Sequence, residues 1–147
     1  MSVTLATLRD ELENWLLILA DAEQPDEVRL QAVRGLRNKS WPEVDRARVA
    51  AALQRVLAEL AADAPRVGAA VALRAFVDVS GVIATLRDVA RDGNEPIELR
   101  YSAFTSIESA GPTSESIAAA RALVEDETLG PSARSLLVLW RAYPPER

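Results

Sequence analysis

Arginine and acid recur at fixed distances from proline along this chain. Arg29 and Arg100 lie four residues after Pro25 and Pro96, and Arg134 lies three after Pro131. Asp21, Asp92 and Glu127 each lie four residues before a proline. A guanidinium presents a planar fork of donors, so it can hold a bound anion or a carboxylate of its own chain. Ligand sites seldom recur with a structural period, so the repetition predicts ion pairs with loop acids such as Asp21 and Asp92. An anionic ligand at Arg29 and Arg100 is the competing reading. Other chemistry is restricted by composition. With no histidine and no cysteine, a Ser–His–Asp triad, a thiolate nucleophile and a Cys/His zinc site are all impossible. Six glycines lie scattered, with no phosphate-cradling loop. Glu125, Asp126 and Glu127 could do acid–base work, but adjacent helical residues do not face one another. No catalytic residue, cofactor or metal is expected.

Surfaces that could bind a partner are easier to name. Ser40 and Glu43 read as a capping box, which puts Trp41 in the first turn of a helix. An exposed Trp41 beside basic residues would suit a binding hot spot; the alternative is a ring lying over its neighbouring helix as a lid. Arg48 and Arg55, seven residues apart, share a helix face flanked by Ala51, Ala52 and Ala58. The small alanines leave room for a partner, although an ordinary solvated face has the same composition. Near the C-terminus, Leu136 to Trp140 are five consecutive apolar residues, more than one helical turn. A terminal helix buries only part of that circumference. Leu137 and Trp140 are therefore expected to be covered by the fold itself, by a partner or by a second copy; truncation from a longer parent is a third way to leave such a surface.

Eight helices are needed to position these residues, near 3–21, 26–38, 42–62, 65–79, 81–92, 95–109, 113–127 and 131–143. Apolar residues recur with helical spacing, as in Leu5, Leu8, Leu12, Trp15, Leu16 and Leu19. Pro25, Pro65, Pro96 and Pro131 are 40, 31 and 35 residues apart. Read from each proline, Ala32, Ala72, Ala103 and Val138 fall in one position, with Val33, Leu73, Phe104 and Leu139 in the next. Ser80–Gly81 marks a turn and Thr113 an N-cap. Short connections between helices imply antiparallel neighbours. Periods in this range with helical units indicate a stacked repeat.

The segments DAEQPDEVR (21–29) and DGNEPIELR (92–100), an acid before the helix and an arginine in its first turns, resemble the HEAT repeat. The second unit departs from that pattern, with Ala69 where the arginine should stand. The resemblance covers roughly residues 3–143 and implies an all-α, right-handed α-solenoid of about four antiparallel helix pairs. It also places the second helix of each pair, and so Arg48 and Arg55, on a concave surface. Short bacterial HEAT-like repeats of phycobilisome lyases look similar, but no chromophore-handling residue carries over. A chromophore lyase or chaperone would need a deep apolar pocket, which the alanine-rich faces do not obviously supply. HEAT-like DNA glycosylases have a basic groove that this acidic chain lacks.

The 147 residues are expected to form one domain with a loose tail at 144–147. Net charge is −5 and unevenly placed: residues 28–58 carry seven bases and two acids, while the flanking segments are acidic. An acidic total disfavours a phosphate backbone, so no nucleic acid is expected. No apolar run is long enough to cross a membrane, and the acids of the first twenty residues are wrong for a signal peptide. A cytoplasmic protein is the expectation. Sixteen arginines against one lysine point to a GC-rich bacterial genome. The expected function is a non-enzymatic protein–protein interaction module or scaffold, with Trp41, Arg48, Arg55, Leu137 and Trp140 as contacts and a homodimer through the last helix as one arrangement. The alternative is an acidic inhibitor or immunity protein that neutralises a basic enzyme such as a nuclease toxin.

Overall fold

Proline sets the start of three helices by what it lacks. In a computed structural model, which describes residues 5–60 and 63–142, Pro25, Pro42 and Pro96 are N-caps with φ near −57°. Their carbonyls accept the first helical N–H, from Arg29, Arg46 and Arg100. Acids follow in the first turn, at Asp26 and Glu27, Glu43 and Asp45, and Glu98, where the helix dipole favours negative charge. All regular structure among the described residues is helical: α1 Leu5–Ala20, α2 Asp26–Arg37, α3 Glu43–Leu57, α4 Asp63–Ala72, α5 Val82–Arg91, α6 Ile97–Glu108, α7 Ser114–Arg121 and α8 Gly130–Leu139. A short 3-10 turn, Leu73–Phe76, extends α4.

Two layers account for the packing. The odd helices follow one another, α1 on α3, α3 on α5 and α5 on α7. The even helices do the same from α2 through α4 to α6, and each odd helix packs on the even helix after it. The last even helix departs from this order: α8 packs on α7 and barely approaches α6. One continuous core runs between the layers, from Leu12 and Leu19 through Leu53, Leu73 and Leu86 to Ile107, Leu123 and Leu137.

Several local expectations hold. Gly81 turns the chain at φ 89°, in the left-handed region that suits glycine. Thr113 caps α7, its hydroxyl accepting from the Ser116 N–H while the Ser116 hydroxyl accepts from the Thr113 N–H. Others are corrected. Ser40 and Glu43 form no capping box; Pro42 is the N-cap of α3 and has no side-chain bond. Ring crowding by Pro42 keeps Trp41 out of helical geometry, so Trp41 precedes the helix instead of lying in its first turn. The third and seventh helices are shorter than expected, and α3 is the first helix of its pair, in the layer of α1 and α5, not the second. α8 stops at Leu139, where the Ala142 and Arg141 N–H groups bond back to Leu137 and Val138 and Arg141 takes φ 60°. The tail expected at 144–147, and the end of the chain at Pro144 and Pro145, lie outside the described residues.

Candidate functional site

The arginines form a series of internal bonds that the proline spacing half revealed. Arg29 is the fourth residue of α2, Arg66 the fourth of α4 and Arg100 the fourth of α6. Each donates backward, to a carbonyl at the end of the preceding helix: Arg29 to Leu19, Arg66 to Leu57 and Arg100 to Ala90. Each also donates forward, to an acid in the loop of the next pair: Arg29 to Glu59, Arg66 to Glu95 and Arg100 to Asp126. The Arg29 contacts are 2.8 and 2.6 Å to the two Glu59 oxygens, with Nε 3.2 Å from the Leu19 carbonyl. Arg29 is 1% exposed, so nearly the whole guanidinium is matched inside protein.

Pairing with loop acids therefore occurs, but with different acids. Asp21 and Asp92 do not receive Arg29 and Arg100. They accept their own loop N–H groups, from Glu23 and Asn94. Asp126, not Glu127, occupies that position in the last loop, accepting Thr128 and Leu129 N–H through one oxygen and Arg100 through the other. The unit that looked defective is not: Arg66 serves it, because Pro65 lies inside α4 instead of capping it. Counting from the helix start would have found Arg66; counting from proline did not. Bidentate bonding from Arg29 holds the Glu59 carboxyl below its ordinary range, against a smaller opposing effect of burial. Backbone N–H groups, Leu129 first, do the same to Asp126, with Arg100 adding to it.

The residues expected to bind a partner separate into two groups. Trp41 is 9% exposed; its indole N–H donates to the Leu36 carbonyl at 2.7 Å and its ring meets Trp15 edge-on at 6.3 Å. It is the lid of the competing reading, held inside by a bond that exposure would break. Leu137 is fully buried and Trp140 half-buried against the core. Of the run Leu136 to Trp140, the outward side chains are Val138 and Leu139, at 58% and 72% exposure.

Arg48 and Arg55 remain at the surface. They share an open cleft of about 480 Å³ between α1 and α3 with Glu13, Leu16, Leu17, Ala47, Ala51 and Ala52. Arg48 is engaged by Glu13 through two bonds of 2.7 and 2.8 Å, which lower the Glu13 pKa and raise that of Arg48. The Arg55 guanidinium is exposed and has no ion-pair or hydrogen-bond partner among the described residues. Leu17, which the sequence reading did not single out, stands 72% exposed beside it. A cleft of this kind offers a cation, an apolar anchor and an alanine floor. Among the described residues no group of three or more His, Cys, Asp or Glu is gathered as a metal site, and no helix is long and apolar enough to cross a membrane. Comparison with protein-family models, with curated proteins and with solved structures finds no match.

Proposed function

We propose that the chain is a non-enzymatic protein-binding module, built as a right-handed HEAT-like solenoid of about four helix pairs, with the α1–α3 cleft as its docking surface. The observation that carries the reading is the pairing of exposed Leu17 with Arg55, which has no partner among the described residues, over Ala47, Ala51 and Ala52. Arginine is enriched in binding hot spots, and an exposed aliphatic side chain beside it supplies apolar area for a contact. The two-layer packing order and the recurring arginine bonds support the solenoid. A stack pinned in this way loses little conformational freedom on binding, which favours affinity. The partner's contact segment is an apolar residue followed by a carboxylate, the first on Leu17 and the second on Arg55.

The test compares proteins retained from a lysate by the wild type and by Leu17→Asp/Arg55→Glu, with an Arg91→Glu control elsewhere on the surface. Both positions are exposed, so the melting temperature stays within a few degrees. The reading expects a specific protein to be kept by wild type and control and lost by the double variant. Identical profiles for all three overturn it.

A further inference from the structure

The donor and the acceptor of the forward arginine bond are each left unmatched among the described residues, one in α8 and the other in the first loop. Arg134 of α8 donates backward to the Val124 carbonyl, as the other three arginines do to their own carbonyls. It has no carboxylate partner among the described residues. At the other end, the first loop carries Asp21, one carboxylate oxygen of which accepts the Glu23 N–H, as Asp92 accepts the Asn94 N–H and Asp126 the Thr128 N–H. In Asp126 the second oxygen takes Arg100. In Asp21 that oxygen has no donor among the described residues.

The helix surfaces agree. Aligned on their arginines, Leu30 and Val33 of α2 correspond to Ser135 and Val138 of α8. In α2 that face lies on the next even helix, with Leu30 and Val33 beside Gly68 of α4. Val33 is 3% exposed there, whereas Val138 is 58% exposed. Pro131, Arg134, Ser135 and Val138 line an open cleft of about 550 Å³ on that face. Val138 and the Arg134 guanidinium are thus presented together on one open face.

We propose that a second copy of this chain docks head-to-tail on α8, with its Asp21 completing the bond of Arg134 and its α2 lying against Val138. The site is distinct from the α1–α3 cleft and does not depend on it. α2 offers Gln31 where α4 offers Gly68, so the helices approach less closely than inside one chain. The ion pair then carries most of the contact, and salt weakens it. A head-to-tail contact does not close on itself, so association continues beyond a dimer as concentration rises.

Sedimentation velocity of the full chain over a range of concentrations, at low and high salt, reads this directly. The wild type is expected to associate reversibly at low salt and to dissociate at high salt. Arg134→Glu and Asp21→Asn each weaken association about tenfold or more; the asparagine keeps the loop acceptor, so folding is retained. Mixing Arg134→Glu with Asp21→Arg restores association between the two variants, which neither shows alone. Circular dichroism checks that all are folded. A wild type that stays monomeric throughout overturns the proposal. So does association that survives both charge changes, or that responds to Val138→Asp alone, which would indicate an apolar contact of a different kind.

Discussion

Arg29 makes its contacts as a planar fork: Nε and one Nη on the Leu19 carbonyl, both Nη groups on Glu59. Lysine has neither the plane nor the donors to repeat this, so the sixteen-to-one preference for arginine includes positions where the residue type is a geometric requirement. Arg29→Gln leaves the Glu59 carboxylate and the Leu19 carbonyl without their donors and should cost about 3 kcal/mol at neutral pH. The same bond sets an acid response. Glu59 and Asp126 have folded pKa values below their ordinary ones. Their contribution is therefore present above the unfolded carboxylate range, near pH 4, and is lost as pH falls through the lower folded values. Urea midpoints measured from neutral pH downward should show this loss in the wild type and a shallower loss in Arg29→Gln. Equal slopes would place the acid response elsewhere.

At the scale of the element, α2 shows how closely two helices can be brought. A Cβ added at Gly35 would lie 2.5 Å from the Trp15 ring, so glycine is there to seat an indole, not to bend a helix. Gly35→Ala raises intrinsic helix propensity yet should destabilise by about 1–3 kcal/mol, because the ring must move and Trp41 packs on its edge. A thermal melt with tryptophan fluorescence checks both the sign and the displaced ring; a stabilised variant would show that Trp15 moves freely. Helix existence was legible from apolar spacing in all eight cases, since packing repeats every turn. Caps were less so. The Ser40–Glu43 pattern matched a capping box, but the clash between Pro42 and a helical Trp41 was also in the sequence and decides against it. Trp41 was misplaced for that reason alone. α8 was read from proline, one residue out of phase, which put Val138 and Leu139 on the buried stripe; counted from Arg134, the buried +3 residue is Leu137, matching Ala32, Ala69 and Ala103. The Leu17–Arg55 neighbourhood could not be read at all, because it joins two helices whose layer was not known from sequence.

Across the whole molecule Arg29, Arg66 and Arg100 each tie their pair both to the preceding helix and to the next loop. Arg66 is the central one, linking Leu57 with Glu95. Its loss should loosen the loops on both sides, whereas change at a solvated arginine should not spread. Hydrogen exchange of Arg66→Gln is expected to rise in the α3–α4 and α5–α6 loops together, with Arg91→Gln as control. Faster exchange confined to one loop would show that the bond serves a single pair. The acids used in this way also change how the charge of the chain reads. Glu95 and Asp126 belong to the acidic stretch 59–147, yet both are held by buried arginines, so they are withdrawn from the surface that a basic enzyme would meet.

The same alternation bears on how such a chain could have lengthened. A unit such as Glu43–Phe76 contains one loop acid, Glu59, and one arginine, Arg66. A tandem duplication of it would therefore bring both the acceptor for the unit before and the donor for the unit after. This arginine–carboxylate series stays matched when whole units are inserted, while a duplication of half a unit would strand one of its ions. Insertion of a whole unit is the kind of lengthening that leaves these buried charges matched.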